Sequence, residues 1–308
     1  EPQLGAEARR AIETTFADWR PDTVLVCDLD LLPDMRRIAA RAGAAHLSLM
    51  LLSTPAPSTE NWWQRLAIRR RLRAAISRCQ SIVLADPTVA TALEATLKTR
   101  LAPSRLSFIA APGVDLAAVA RMPLPGSHRG LRIATIAEAD DTMADAVWLA
   151  VGAELHRAGH TVTIELARPG SGTEVSSPET RTRIPDTECE IVRSTFGLDM
   201  LADVVVRAHI VVQIYAHQVF ADGLVTALAV GRPLLALDTP AHRQAVDERV
   251  NGVLLPSTSP ATIAAGIADI ARRPDLFEAM ARASRGKAER RFDAMRLSER
   301  VLDVLEMR

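Results

Sequence analysis

Residues 217 to 226 bring together side chains that could bind a polar ligand. The segment reads His217, Gln218, Val219, Phe220, Ala221, Asp222 and Gly223, with Thr226 about one turn further on. The amide of Gln218 and the hydroxyl of Thr226 can hydrogen-bond the hydroxyl groups of a ligand. Free backbone amides at the start of a helix bind an anion such as phosphate whatever the side chains are. The segment therefore predicts a site for a phosphorylated, hydroxyl-rich molecule.

Two residues of this segment have a second interpretation. His217 follows an apolar run at the end of a predicted strand, a position that favours ligand contact in α/β sheets. It is explained equally well as a loop histidine without a role. Asp222 stands where the helix is predicted to begin, and aspartate is a preferred N-cap residue. We interpret Asp222 first as an N-cap and second as a ligand contact.

Alternating strand and helix patterns surround this segment along the whole chain. Short β-branched runs alternate with longer helical patterns, which is typical of parallel sheets with helical crossovers. Strands are predicted at TVLVC, AHLSLML, SIVLA, LSFIA, LRIATIA, TVTIELA, CEIVRS, HIVVQIYA and LLALD. Helices are predicted at residues 34–42, 60–78, 87–99, 142–157, 199–207, 260–272, 275–290 and 294–306. The fold class is α/β, with two Rossmann-like doubly wound parallel sheets.

The length of 308 residues fits two domains. Residues 1–122 are predicted to form the first domain, and the Pro, Gly and Ser of residues 123–130 indicate a linker. Residues 131–292 form the predicted second domain, and a closing helix at 293–308 is expected to pack toward the first. Only about four strands precede the linker, so we expect the first domain to be shortened.

The composition excludes several classes of protein. The formal net charge is zero, so no overall field attracts nucleic acid. No apolar run is long enough to span a membrane, and the first residues contain no signal-peptide core. Cys27, Cys79 and Cys189 are far apart and show no metal-ligand spacing. We expect a cytoplasmic protein that holds no metal.

The segment from Trp62 to Cys79 predicts a helix with two distinct faces. One apolar stripe should face the core. A neighbouring face carries Trp62, Trp63, Leu66, Arg69, Arg70 and Arg73. Tryptophan and arginine on one exposed face suit contact with an anionic membrane surface or with an acceptor held there. The other interpretation is a solvated face whose arginine stems cover apolar surface.

The order of these elements resembles GT-B glycosyltransferases, in particular glycosyltransferase family four. The resemblance covers roughly residues 20 to 305. It rests on Pro112-Gly113-Val114-Asp115, Gly231-Arg232-Pro233, Asp238, Asn251-Gly252 and Phe292. It implies a nucleotide-sugar donor held mainly by the second domain, at residues 217–223 and 226. It further implies retaining sugar transfer to a glycan or lipid-linked acceptor in the interdomain cleft, without a metal or other cofactor.

The sequence departs from the family pattern at two places. The family carries two glutamates eight positions apart at the donor site, where this chain has Gln218 and Thr226. The family also places basic residues after the first strand of the second domain, where this chain has Glu138, Asp140 and Asp141. These acidic residues would repel a diphosphate. An inactive GT-B subunit that binds glycan or stabilises an active protein partner is therefore the alternative prediction.

Two further motifs in the sequence carry weaker signals. Asp28-Leu29-Asp30 is similar to the metal-binding DxD of other glycosyltransferases and to the nucleophile motif of haloacid-dehalogenase-like phosphatases. The phosphatase motif requires threonine where this chain has Leu32, so ordinary loop aspartates are favoured. His156 and His160 have the spacing of zinc ligands but stand on either side of Gly159, which should end the helix.

Overall fold

The chain, described here by a computed structural model, divides into two units. The first comprises Glu1–Ala111 and Met295–Arg308, and the second comprises Pro112–Ala294. The structure describes residues 5–51, 62–85, 87–109, 113–124, 130–136, 143–169, 180–196, 201–214 and 222–306. No helix in these ranges is both long and apolar enough to cross a bilayer.

The first unit contains a four-stranded parallel sheet with the order β1-β2-β3-β4. Its strands are β1 (Thr23–Val26), β2 (His46–Leu51), β3 (Ser81–Leu84) and β4 (Leu106–Phe108). Its first four helices are α1 (Ala6–Trp19), α2 (Leu32–Ala42), α3 (Trp62–Ile76) and α4 (Pro87–Leu97).

The second unit contains a seven-stranded sheet with the order β11-β10-β9-β5-β6-β8-β7, antiparallel only between β7 and β8. The strands are β5 (Leu131–Ile136), β6 (Val162–Pro169), β7 (Thr180–Arg183), β8 (Glu190–Phe196), β9 (Ile210–Gln213), β10 (Leu234–Leu237) and β11 (Gly252–Leu255). The helices are α5 (Met143–Arg157), α6 (Leu201–Arg207), α7 (Asp222–Val230), α8 (His242–Ala245), α9 (Pro260–Ala271) and α10 (Pro274–Arg291), and α11 (Ala294–Glu306) follows. The α/β fold class with parallel sheets is confirmed.

The two faces of the first sheet are covered by different parts of the chain. Alternate residues of β1, β2 and β3, such as Val26, Leu49 and Ile82, share one core with the apolar sides of α2, α3 and α4. The opposite face carries Val83 and Ile109, which pack with Leu297 of α11. The first unit is therefore completed by the last helix of the chain.

Local sequence signals explain where several helices begin and end. Pro260 begins α9, and the side chain of Ser259 accepts a hydrogen bond from the backbone N–H of Thr262 at 3.2 Å. Proline lacks an N–H, which is no loss in the first turn, and serine satisfies one of the free amides there. Gly43 ends α2 with φ at 79°, a left-handed conformation that glycine adopts without strain.

Arginine side chains satisfy the last carbonyl groups of two helices in the first unit. Arg69 Nε donates to Thr96 O at 3.1 Å, and Arg73 donates to Leu97 O at 2.5 Å and to Lys98 O at 2.7 Å. Arg105 Nη1 donates to Ile76 O, at the last residue of α3, at 3.4 Å and to Cys79 O, just beyond the helix, at 3.1 Å. The last carbonyls of a helix have no partner within it and carry a partial negative charge. A guanidinium group supplies these carbonyls with both a hydrogen-bond donor and a positive charge.

We expect Arg73→Ala to lower the free energy of unfolding of the first unit by about 1–2 kcal/mol, because two charge-assisted hydrogen bonds at the end of α4 are lost. Amide hydrogen exchange in peptides covering α4, together with urea unfolding, measures the loss. Arg70, which is exposed and lies on α3 like Arg73, is the matched control. Arg70→Ala should lower the free energy of unfolding by less than about 0.5 kcal/mol. Equal losses in the two variants would contradict the capping role of Arg73.

Candidate functional site

The strand order of the second sheet reverses between β5 and β9. From β5 the chain adds β6 and then the β8 and β7 pair on one side, and it returns to place β9, β10 and β11 on the other. Such a reversal leaves a crevice outside the carboxyl ends of the two central strands, where open α/β sheets bind their ligands. In this unit those ends are Ile136 of β5 and Gln213 of β9.

The start of α7 lies against the end of β5. A Cβ atom added to Gly223 would be 1.9 Å from Ile136 Cδ1, so only a glycine lets the helix approach the strand this closely with Ile136 in its present position. The first turn of α7 therefore stands at the reversal of strand order. Its amides have no partner within the helix and carry a partial positive charge. This combination can hold a phosphate group.

Thr226 lies one turn further along α7 and is 8% exposed. Within the described ranges no hydrogen-bond partner is found for its hydroxyl, which can both donate and accept. Thr135, near the end of β5, is fully buried, and its Oγ1 likewise has no partner among the described residues. The Thr226 hydroxyl can hydrogen-bond a ligand and carries no charge, whereas the fully buried Thr135 hydroxyl is closed to one.

Much of the predicted ligand loop lies outside the described residues. This is the case for His217, Gln218, Val219, Phe220 and Ala221, and of Asp222 only the backbone is described, as the first residue of α7. The acidic residues Glu138, Asp140 and Asp141 also lie outside. Gly223 and Thr226 are thus the two predicted residues whose surroundings the structure describes. The roles of the others stay predictions.

The Gly231-Arg232-Pro233 turn has a structural role that the sequence did not reveal. Gly231 ends α7 with φ at 81°. Arg232 is fully buried, and its guanidinium donates to Met122 O at 2.9 Å, Pro123 O at 3.0 Å and Val206 O at 2.9 Å. Burial lowers the pKa of Arg232 to about 10, so the side chain is charged at neutral pH. It joins the segment before β5 to the end of α6.

The Asn251-Gly252 pair is likewise explained by packing. The Asn251 side chain accepts from Asp247 N at 2.6 Å and donates to Ala245 O at 2.9 Å. A Cβ on Gly252 would be 2.3 Å from Leu234 O, so β11 can pair this closely with β10 only through a glycine. Both residues shape a turn and make no contact that requires a ligand.

The carboxyl end of β10 carries an ion pair and a buried histidine. Asp238 and Arg243 form two parallel hydrogen bonds of 2.6 and 2.8 Å, and these bonds lower the pKa of the Asp238 carboxyl. His242 is 1% exposed, with its Nδ1 at 2.7 Å from Leu237 O. Burial lowers the pKa of His242, which favours the neutral ring. No sequence motif marks His242, and its only signal is its place shortly after a strand.

The predicted membrane face of α3 is partly occupied by contacts within the first unit. Arg69 and Arg73 cap α4 as described above, and Leu66 is half-buried. Arg70 is exposed, while the side chains of Trp62 and Trp63 lie outside the described residues. Arg69 and Arg73 thus have a structural use that neither interpretation named, and the membrane or acceptor face stays a prediction.

The Asp28-Leu29-Asp30 loop forms a local turn. Asp28 Oδ1 accepts the backbone N–H of Asp30 at 2.8 Å, which is how aspartates commonly stabilise loops. Burial, followed by the neighbouring Asp28, raises the pKa of the Asp30 carboxyl. In the ranges that the structure describes, no three histidine, cysteine or acidic side chains cluster as metal ligands would.

Comparison of the sequence with protein-family models and with curated proteins gives no match. Comparison with solved structures gives many matches. Anabaena HepE in complex with UDP-glucose matches with a TM-score of 0.73 at 13% identity, over 98% of this chain and 82% of that one. A glycosyltransferase from Rickettsia africae matches with a TM-score of 0.70 at 11% identity, over 98% and 82% of the two chains.

Sucrose-phosphate synthase from Thermosynechococcus elongatus is also similar, with a TM-score of 0.66 at 11% identity, over 97% of this chain and 76% of that one. These proteins are GT-B glycosyltransferases, so the chain has the GT-B fold, as its sequence predicted. At such low identity the likeness establishes the fold alone. The closer resemblance to family four and the altered donor motif stay predictions.

Proposed function

We propose that the protein binds a nucleotide sugar at the carboxyl edge of the second sheet and transfers the sugar to an acceptor. The observation that carries this proposal is the position of the α7 N-terminus at the reversal of strand order, held against Ile136 by Gly223. The solved structure of HepE with UDP-glucose supports it, because a protein of the same fold binds such a donor.

Each part of the donor has a proposed partner in this chain. The free amides at the start of α7 would hold the diphosphate, and the Thr226 hydroxyl would hydrogen-bond the ribose. Gln218 would contact the sugar, with His217 and residues 219 to 222 shaping the loop around it. The proposal requires no metal or other cofactor, because helix amides and neutral donors bind the phosphates. A glycan or a lipid-linked acceptor is the proposed partner in transfer, with retention of the anomeric configuration.

Thr226 also favours a second candidate function. A nearly buried hydroxyl cannot carry the charge that a glutamate would supply at this position, so the donor site is less equipped for chemistry than for binding. In this alternative the protein binds a glycan or stabilises an active partner subunit without catalysing transfer. Membrane contact through Trp62, Trp63 and Arg70 of α3 is a further proposal, independent of either function.

Calorimetric titration with UDP, GDP and their sugars tests the proposed donor site. We expect one diphosphate nucleotide to bind, and Thr226→Val to weaken it about fivefold, since a neutral hydrogen bond contributes about 1 kcal/mol. Thr226→Ser keeps the hydroxyl and serves as the matched control. Absence of binding by every nucleotide would refute the donor site.

A transfer assay then separates the two functions. The inactive alternative would be ruled out if the protein transfers sugar and Gln218→Ala abolishes transfer while UDP binding persists. Binding of UDP-sugar without turnover, across glycan and lipid-linked acceptors, would instead favour the alternative.

A further inference from the structure

A cleft in the first unit is lined by arginines and lies at the end of the sheet opposite to the carboxyl edge. It is formed by the second half of α2, the start of β2 and the segment that leads from α3 into β3. Its volume is about 540 Å³. The polar lining consists of Arg36, Arg37, Arg41, Arg78 and Gln80. Among the described residues, the lining includes no aspartate or glutamate.

The floor of the cleft is made of small or buried groups. Ala39, Ala40, Ala44 and Ala45 line it, and Leu47 beneath them is 7% exposed. Gln80 is fixed in place because its Oε1 accepts from Leu47 N at 2.8 Å and its Nε2 donates to Ala45 O at 3.2 Å. Four of the five apolar residues that line the cleft are therefore alanines, which leave room beside the arginines.

The positive charge of this cleft is only partly neutralised by the protein. Arg41 pairs with Glu13 at 2.9 Å. Asp34 is 3.8 Å from Arg37 but makes its short contact, at 2.7 Å, with Arg9. Glu13 and Asp34 thus supply two negative charges against the three positive charges of Arg9, Arg37 and Arg41. Arg36 and Arg78 add two further positive charges to the cleft.

The two remaining arginines leave donors for a ligand. Arg36 uses Nη1 to donate to Ala74 O at 3.0 Å. Arg78 is exposed, and in the described part of the chain no ion-pair or hydrogen-bond partner is found for its side chain. Arg37 and Arg41 are four residues apart on one helix face, an arrangement in which like charges repel. A bound anion would relieve this repulsion.

We propose that this cleft binds a soluble phosphorylated molecule with at least two phosphate groups. Guanidinium groups bind phosphate through paired, charge-assisted hydrogen bonds, and several of them converge here. The concave shape and the volume suit a discrete small molecule. A membrane surface is a poorer match because the cleft lining offers no large exposed apolar side chain to enter a bilayer. The site is separate from the donor site proposed in the second unit.

Calorimetric titration with inorganic pyrophosphate at low ionic strength tests the proposal. Binding that survives Arg37→Gln combined with Arg78→Gln is assigned to other sites, such as the proposed donor site. We expect pyrophosphate to bind the wild type, and the double variant to weaken one site per chain about tenfold or more, since both substitutions remove charge-assisted hydrogen bonds. Arg71→Gln is the matched control, because Arg71 is exposed on α3 and does not line the cleft.

The remaining outcomes are distinguishable. Equal pyrophosphate binding in wild type and the double variant, or no pyrophosphate binding by the wild type, would overturn the proposal. Binding to phosphatidylglycerol vesicles that depends on Arg37 and Arg78, without pyrophosphate binding, would replace the soluble ligand with a lipid headgroup. UDP binding that does not change in Thr226→Val would count against the proposed function alone, because pyrophosphate binding that depends on Arg37 and Arg78 would still be observed.

Discussion

Replacing Arg232 with methionine is expected to lower the free energy of unfolding of the second unit by about 3 kcal/mol. Methionine fills most of the space but donates no hydrogen bond, so the carbonyls of Met122, Pro123 and Val206 lose a charged donor. The cost stays below that of three fully buried losses, about 1–3 kcal/mol each, because Met122 and Pro123 are exposed and water can reach their carbonyls. Guanidinium chloride unfolding followed by tryptophan fluorescence, which reports on the buried Trp148, measures the loss.

Two further variants make the Arg232 result specific. Arg232→Lys keeps one charged donor group and should fall between wild type and the methionine variant. Arg282→Met removes an arginine that pairs with Glu278 on the exposed side of α10, and it should cost less than about 0.5 kcal/mol. A methionine variant as stable as Arg282→Met would show that the three carbonyls do not depend on Arg232.

Gly223→Ala is expected to weaken UDP binding about a hundredfold, because a displacement of about 1 Å at a positioned group can cost this much. The new methyl group would overlap Ile136 Cδ1, so either Ile136 must rotate or the start of α7 must move away from β5. The reduced affinity would follow from moving the helix amides out of reach of the diphosphate. Calorimetric titration with UDP measures the change.

A second substitution tests the cause of this loss. Ile136→Val removes Cδ1, so the double variant should recover most of the UDP affinity. Ile136→Val alone is expected to cost only about 0.5–1.5 kcal/mol of stability. Gly266→Ala is a matched control, since its Cβ would lie 2.9 Å from Leu235 Cδ1 inside α9, away from the crevice. A loss of affinity that Ile136→Val does not restore would contradict this cause, and normal UDP affinity in a folded Gly223→Ala protein would show that Ile136 rotates and α7 stays in place.

The fold could be predicted from the sequence because its main signals are local. Buried strands read as short β-branched runs, as in β3, where all four residues are buried. Caps such as Ser259 and Gly43 mark the helix ends within a few residues. The sequence pattern does not predict β7, because Thr180–Arg183 is polar and mostly exposed. This strand forms through its pairing with β8.

The candidate site could be predicted only as a segment. The helix start at Asp222 and the position of Thr226 follow from the pattern of residues 217 to 230. The contact between Gly223 and Ile136 does not follow from that pattern. It depends on the chain returning to place β9 beside β5. The role of Arg232 was hidden for the same reason, since Met122 lies 110 residues away in sequence. Contacts of this range are products of topology and leave no local pattern.

The dependence of the first sheet on α11 sets an order of events during synthesis. Residues 6 to 109 can form β1 to β4 and bury the face that α2, α3 and α4 cover. Val83 and Ile109 on the other face stay exposed to solvent until Leu297 and its neighbours have been synthesised. The whole second unit is translated in between, and it can fold first. A chaperone that shields this apolar face during translation would therefore act on the first unit and be released by the arrival of α11.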